Sequence, residues 1–122
     1  MPLQHLNRGP GGLLVMKVRN ASRVEACFEH SVRLWPLLSK GEAKTVEHVE
    51  EFIAEKELEL HESKAPAEEF YYILSGYGIM TVGDEEMEVG PGDLIYIPAG
   101  AKHGLRVKGS YPVRALAWKC PL

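Results

Sequence analysis

The clearest chemical signal in the sequence is a histidine that follows two turn-forming clusters. The clusters Gly90–Asp93 and Pro98–Gly100 enclose a short apolar run, Leu94–Ile97, whose β-branched and aromatic content is typical of a buried strand. Proline cannot donate to a sheet ladder and glycine can adopt a left-handed turn, so the chain should bend there and direct His103 back over the sheet. An imidazole can exchange a proton near neutral pH or bind a metal ion. His103 is therefore either a reactive group or an ordinary strand residue.

A second group of ionisable side chains precedes another β-prone run. His61 and the carboxylates Glu68 and Glu69 come before Phe70–Leu74, whose composition favours a central strand. Residues two apart on a strand share a face, so Tyr71 should lie on the same face as Glu69. Glu69 is then either a solvated carboxylate at the start of a strand or the acidic group of a pocket.

These two segments resemble the paired motifs of the cupin superfamily. The second motif of that family reads Gly, five residues, Pro, one residue, Gly, two residues, His, and its matching residues here are Gly92, Pro98, Gly100 and His103. The first motif reads His-x-His, three or four residues, Glu, six residues, Gly, and Glu69 and Gly76 match its second half. The resemblance covers residues 45 to 118. It implies a single-domain, all-β fold, the double-stranded β-helix or jelly-roll barrel, with a pocket at one mouth.

The first motif departs from the family pattern at its histidine pair. Counting back from Glu69 with three intervening residues puts the pair at Ser63 and Ala65, and counting with four puts it one residue earlier. Neither count finds a histidine. In the alternative interpretation the loop before Glu69 is longer, His61 is the first histidine and Ser63 replaces the second.

The resemblance implies a divalent metal ion (iron, manganese, nickel, copper or zinc) in the barrel mouth. The predicted ligands are His61, Glu69 and His103, since two imidazoles and one carboxylate can hold a metal and leave positions open for substrate. His48 is a further candidate for the missing nitrogen. Without a metal, Glu69 and His103 are predicted to form a catalytic acid–base pair. The predicted ligand-binding residues are Ser63, Tyr71 and Tyr96.

The rest of the chain is predicted to form short strands. Turn signals recur at short intervals, which indicates about eight to ten strands in a sandwich or barrel. Gly83–Glu86, between two apolar runs, is typical of a hairpin. Thr45–Ala54 carries apolar residues at spacings of three and four that favour a helix, but the cupin resemblance favours a strand. Lys56–His61 alternates with period two, which predicts that Leu58 and Leu60 share one face and His61 lies on the other.

Length and composition indicate one small globular domain. The chain has 122 residues, of which 45% are hydrophobic and 25% charged, which is enough for a single core. Residues 1–12 are rich in glycine, proline and polar side chains, so they are predicted to be a flexible tail before a barrel domain at 13–122. A net charge of −3 without a basic stripe argues against nucleic acid as a partner. No apolar run approaches the ~20 residues that span a bilayer, so no membrane partner is expected.

The cysteines and the N-terminal sequence favour a cytoplasmic location. Cys27 and Cys120 have neither redox-motif nor metal-finger spacing and are expected to be free thiols, and no secretory signal is recognisable. The cupin resemblance implies a homodimer. No role is assigned to His5 or His30.

Three functions follow from these observations. The first is a metal-dependent enzyme of the isomerase, decarboxylase, oxygenase or cyclase type that acts on a small acidic molecule. The second is a non-catalytic module that binds a small ligand or a weakly held metal. The third is a structural, dimeric barrel. Glu69 and His103 support the first, and the missing histidine pair counts against it.

Overall fold

The computed structural model describes residues 16–122, and their regular structure is almost entirely β. Within these residues a 3-10 turn at Ala21–Arg23, capped by the Asn20 side chain, precedes the strands. The strands are β1 (Cys27–Glu29), β2 (Val32–Leu38), β3 (His48–Ala54), β4 (Glu57–His61), β5 (Ala67–Ser75), β6 (Gly78–Val82), β7 (Glu85–Val89), β8 (Leu94–Ile97), β9 (His103–Val107) and β10 (Val113–Pro121).

The ten strands form two antiparallel sheets whose inner faces make the core. The six-stranded sheet has the order β1-β2-β3-β10-β5-β8, and the four-stranded sheet has the order β4-β9-β6-β7. Apolar side chains from both sheets meet between them, among them Phe52, Ile73, Met80, Ile97 and Leu105. Burial of these side chains supplies most of the free energy that holds the sheets together. The predicted all-β jelly-roll barrel is confirmed.

The segment with conflicting signals, Thr45–Ala54, contains a strand. β3 pairs with β10 on one side and β2 on the other, so its backbone groups are satisfied by two ladders. Phe52 and Ala54 are buried on the inner face, while Val49 and Ile53 belong to the outer face. The helix-like spacing therefore arose because both faces of this strand carry apolar side chains.

The predicted hairpin at Gly83–Glu86 is also present, as the two-residue turn between β6 and β7. Val82 pairs with Glu85 across the turn, and Gly83 has a φ of 58°. Glycine adopts this left-handed conformation without steric strain, which explains why the glycine at this position predicted the turn correctly.

Strand β4 contains a bulge that reverses its predicted alternation. Leu58 pairs with Leu105 and His61 pairs with His103, so three steps along β4 match two along β9. Leu58 is buried and His61 faces the interior beside it, whereas Leu60 is 58% exposed. The prediction that Leu58 and Leu60 share a face was therefore wrong.

Residues 1–15, which include the predicted tail, lie outside the described part of the chain. Within residues 16–122, no helix has the length and apolar character needed to cross a membrane. Cys27 and Cys120 are both free thiols.

Candidate functional site

One mouth of the barrel holds a pocket of about 430 Å³ that is lined by ionisable side chains. Lys119 on β10 lies opposite His48 on β3 and opposite Glu69 on β5, so three inward-facing polar residues form one row across three strands. His61 and His103 face this row from the four-stranded sheet, where they pair directly with each other. The pocket thus lies between the two sheets.

His103 is the most deeply buried polar residue of the site. It begins β9 after a turn in which Gly100 has a φ of 81°, and its side chain is 1% exposed. Its Nδ1–H donates to the Ala101 carbonyl oxygen at 3.0 Å. In the neutral ring Nε2 then carries only a lone pair, and it has no hydrogen-bond partner among the described residues. This orphaned nitrogen is buried directly behind Glu69, which lines the pocket.

Glu69 faces that nitrogen. Its Oε2 lies 3.4 Å from His103 Nε2 and accepts a hydrogen bond from Ser63 Oγ at 2.7 Å. A carboxylate oxygen and a bare imidazole nitrogen are both acceptors, so they repel each other unless a proton or a cation lies between them. Ser63, predicted to contact ligand, contacts Glu69 and orients its carboxylate.

His61 lies against His103 as a second imidazole. The two ring centroids are 4.3 Å apart with an angle of 59° between the planes. His61 Nδ1–H donates to the Glu59 carbonyl oxygen at 2.7 Å, which leaves Nε2 as the acceptor in the neutral ring. Burial lowers the pKa of His61, and the neighbouring His103 and His30 lower it further. His61 is therefore held in the neutral form that can donate a lone pair.

His30 is a pocket residue that the sequence did not reveal. Its ring stacks on His61 with centroids 3.8 Å apart and planes 9° apart. It occupies the two-residue turn between β1 and β2, where His30 and Ser31 have φ angles of 50° and 69°. Histidine is among the non-glycine residues that enter this region most often, but no motif marks such a turn. A two-residue gap between β-prone segments was the only signal available.

Tyr71 lies inside the barrel on the same face as Glu69. Its ring meets His103 edge-on at 5.9 Å and Phe52 edge-on at 5.2 Å. Burial raises the pKa of Tyr71 well above its ordinary value, so the phenol stays neutral. It forms an apolar wall beneath the ionisable groups.

Tyr96 does not reach this pocket, which corrects its assignment as a ligand-binding residue of the site. Ile95 and Ile97 take the inward positions of β8, so Tyr96 lies on the outer face and is 50% exposed. Its hydroxyl donates to Glu68 and its ring packs against Phe70. It lines a separate, larger cleft of about 590 Å³ formed by residues of β6, β7 and β8, away from His61 and Glu69.

His48 faces the pocket, but both its ring nitrogens lie against carboxylates. Nε2 is 3.3 Å from Glu50 and Nδ1 is 3.5 Å from Glu47. The hydrogen bond to Glu50 is the main reason that the pKa of His48 is raised. His48 therefore does not supply the missing nitrogen in this arrangement.

Two donor atoms at the mouth, Glu69 Oε2 and His103 Nε2, are spaced so that they could share one divalent ion. Two ligands that each lie about 2.1 Å from one ion are about 3.0 to 3.4 Å apart, depending on the coordination angle. The 3.4 Å separation of Glu69 Oε2 and His103 Nε2 agrees with this value, and the orphaned nitrogen is the atom that an ion would satisfy. Among residues 16–122, no group of three or more His, Cys, Asp or Glu side chains is arranged to hold a metal. His61 is adjacent but does not complete such a group.

The pocket is acidic. Four carboxylates and two ammonium groups line it, so its net charge is −2 when the histidines are neutral. This charge favours a cation over a free anion.

Solved structures with similar folds cover most of the chain. A predicted oxalate decarboxylase of Thermotoga maritima superposes with a TM-score of 0.77 at 21% identity, over 86% of this chain and 99% of that one. The polyketide cyclase RemF of Streptomyces resistomycificus superposes with a TM-score of 0.72 at 23% identity, over 87% and 80% of the two chains. A Cupin 2 conserved barrel domain protein of Salinispora arenicola gives 0.71 at 14% identity, over 87% and 89%. At these identities the likeness shows the fold alone.

Two sequence comparisons relate the chain to other proteins. An uncharacterized protein of Methanocaldococcus jannaschii is 44% identical over 55 residues, which is 45% of this chain and 44% of that protein, so the match spans less than half of the relative. The sequence profile of the family described as "Cupin domain" matches residues 49–119, which include the β4 bulge, Glu69 and His103. This match covers more than half of the chain, and the chain therefore belongs to the cupin domain family.

Proposed function

We propose that the barrel mouth binds a divalent transition-metal ion through His103 and Glu69, with His61 as the third ligand, and that a small organic molecule binds beside it. The observation that carries this proposal is His103 Nε2, a buried ring nitrogen without a hydrogen-bond partner among the described residues, 3.4 Å from a carboxylate oxygen. The backbone carbonyls that bind Nδ1 of His61 and His103 support it, because such partners fix the tautomer that a metal requires.

The charge of the pocket supports an order of binding. A divalent ion would offset the net charge of −2 among the lining residues. A small organic acid would then meet a nearly neutral pocket with Lys119 on one wall, whereas in the metal-free pocket it would be repelled. We therefore infer that binding of an acidic ligand depends on prior binding of the metal.

A bound ion would supply Lewis acidity, and the protein groups would hold and orient the ligand. Ser63 keeps the Glu69 carboxylate directed at the site, and Tyr71 presents an apolar surface. The names of the structural neighbours, a predicted oxalate decarboxylase and a polyketide cyclase, favour chemistry on small oxygen-rich molecules.

The same two atoms support a second candidate function without metal. A proton shared between Glu69 Oε2 and His103 Nε2 would also remove their repulsion. The pair would then act as an acid–base couple, or simply as a polar anchor, for a small ligand.

Metal content separates these candidates. Protein purified without an affinity tag should hold about one Fe, Mn, Ni, Cu or Zn ion per chain, measured by mass spectrometry. His103→Ala should lower metal affinity more than about 100-fold, because even residues that only orient a ligand contribute about 10- to 100-fold. His48→Ala is the matched control, since it removes an imidazole from the same pocket whose nitrogens already face carboxylates.

If the protein binds none of these metals at micromolar concentration, the proposal is contradicted. A small acid that raises the melting temperature of metal-free protein, and no longer does so in His103→Ala, would then support the second candidate.

We also propose that the protein is a cytoplasmic homodimer. The free thiols are typical of a reducing compartment. The outer face of the six-stranded sheet exposes Tyr72, Leu94 and Tyr96, an apolar surface suited to a second copy of the chain.

A further inference from the structure

The imidazole stack at the mouth has a role that the cupin motifs do not describe. We propose that His30 is a positioning residue: its ring, packed face to face on His61, fixes the plane of His61 so that Nε2 remains directed at the site. This inference rests on the proposed function, because the atom being positioned is the third metal ligand. It concerns a side chain outside both motifs, on a different hairpin.

The backbone holds His30 where the stack needs it. The turn joins Glu29 and Val32 through two residues that both have positive φ, 50° at His30 and 69° at Ser31. Such a turn is normally made by Asn-Gly or Gly-Gly, and side chains at both positions carry strain. A strained turn that presents an imidazole to a pocket is the kind of outlier from which a functional role is inferred.

Glu59 ties the turn to His61. Its backbone N–H donates to the His30 carbonyl oxygen at 2.9 Å, and its carboxylate accepts a hydrogen bond from Ser31 Oγ. Its own carbonyl oxygen accepts from His61 Nδ1 at 2.7 Å. One residue of the β4 bulge therefore holds the backbone of the His30 turn and the ring of His61, whose imidazoles stack at 3.8 Å.

The geometry of the stack distinguishes positioning from ligation. A metal bound to imidazole lies close to the plane of the ring. Two rings that are 9° from parallel with centroids 3.8 Å apart cannot both contain one ion in their planes. His30 therefore does not replace the histidine lost at Ser63. It restricts the one that remains, His61, which lines the pocket and whose Nε2 is the acceptor atom of the neutral ring.

Two substitutions at the same position test this role. His30→Phe keeps a flat ring and removes the nitrogens, whereas His30→Ala removes the ring. Titration with Zn²⁺ against a chromophoric chelator should show affinity reduced about 10- to 100-fold in His30→Ala, the size expected for loss of a supporting partner. His30→Phe should remain within about threefold of the parent protein. Equal losses of Zn²⁺ affinity in both variants would indicate that His30 is itself a ligand. Unchanged Zn²⁺ affinity in His30→Ala would indicate that His30 has no role at the site. Either result overturns the proposal.

A readout in metal-free protein keeps the test independent of metal binding. The stacked ring should shift the His61 ring-proton resonances by its ring current, so His30→Ala should move them and His30→Phe should largely retain them. Unchanged His61 resonances in His30→Ala overturn the proposal, even if the parent binds no metal and the proposed function itself fails.

A folding control is available at the same turn. His30→Asn suits the left-handed conformation, so this variant should fold at least as well as the parent. It lacks a ring and should therefore lose Zn²⁺ affinity to the same extent as His30→Ala. A His30→Asn variant that folds and keeps full affinity would also contradict the role.

Discussion

Two histidines in the same pocket have opposite pKa shifts, and single contacts explain the difference. His61 is desolvated between two other imidazoles, which lowers its pKa. His48 is desolvated as well, but its hydrogen bond to Glu50 outweighs burial and raises its pKa. The pocket therefore favours the neutral imidazole on the β4 side and the charged imidazole on the β3 side.

This contrast predicts a specific pH dependence for the pair His48–Glu50. Because the folded-state pKa of His48 is raised, its contribution to stability is fully present below its unfolded pKa of about 6.5 and is lost as pH rises through the folded value. Glu50→Gln should lower the His48 pKa in an NMR titration. It should also destabilise the protein more at pH 5 than at pH 9, as measured by urea unfolding.

A Glu50→Gln variant with an unchanged His48 pKa would show that Glu47, on the other ring nitrogen, dominates instead. Glu47→Gln is thus the matched comparison.

At the residue scale, the sequence could predict only what a motif or an alternation encodes. Gly100 and Pro98 mark the turn before His103, and the spacing to Gly76 marks Glu69, so both were predicted to belong to a site. Tyr96 was misplaced because sequence alone could not say which face of β8 points inward. His30 was missed because its stack on His61 joins two segments that are far apart in the sequence.

At the scale of elements, the β4 bulge depends on a glycine in the neighbouring strand. A Cβ at Gly104 would lie 2.9 Å from the Leu58 carbonyl oxygen and 3.1 Å from the Leu60 Cα. These are backbone atoms, so they cannot rotate away. The bulge and the residue after His103 therefore have to fit each other, and the positions of both imidazoles depend on that fit.

Gly104→Ala is expected to damage the site through this contact. It should cost about 1 to 3 kcal/mol in the free energy of unfolding, the usual range for overpacking, and should also reduce Zn²⁺ affinity because β4 carries His61. Thermal unfolding and the chelator titration measure the two effects.

Gly109→Ala, in the turn before β10, is the control for stability alone. Its Cβ would meet nothing within 4 Å, but its φ of 91° is unfavourable for alanine by about 1 to 2 kcal/mol. It should lose stability and keep its metal affinity. Equal loss of affinity in both variants would mean that general destabilisation, and not the bulge, controls the site.

The sequence encoded the elements better than their irregularities. Turn residues such as Gly83 located hairpins because a left-handed φ has a strong glycine preference. The bulge was not predicted because Leu58 and Leu60 fit a period-two alternation, and the extra residue becomes apparent only in the pairing with β9. The cupin resemblance predicted a strand at Thr45–Ala54 despite the helical spacing, and this prediction was correct because β3 pairs with a strand on each side.

At the scale of the whole molecule, one outer surface is unusually apolar. Two rows of side chains cross β8, β5 and β10 directly opposite one another: Leu94, Tyr72 and Leu116 in one row, and Tyr96, Phe70 and Trp118 in the other. Phe70 and Trp118 stack at 5.4 Å. Contiguous apolar surfaces of this kind commonly mark an interface.

Charge placed in this surface should separate the proposed dimer into monomers. Leu94→Glu combined with Tyr72→Glu would bury two adjacent charges of the same sign in the interface, which costs several kcal/mol. Sedimentation velocity at micromolar concentration should show a dimer for the parent and a monomer for the double variant. Tyr111→Glu, at an exposed turn away from the sheet, should remain dimeric. A parent protein that sediments as a monomer would contradict the homodimer directly.

The hairpin that carries His30 also includes an edge strand of the six-stranded sheet, β1. β1 is a three-residue edge strand whose residues are all exposed, while the turn it leads into covers the mouth. Fraying of such an edge requires far less free energy than opening the central strands. If this flap detached, the Glu59 hydrogen bonds to His30 and Ser31 would break with it, so access for a molecule from outside would come at the expense of the imidazole stack while the hydrophobic interior stays closed.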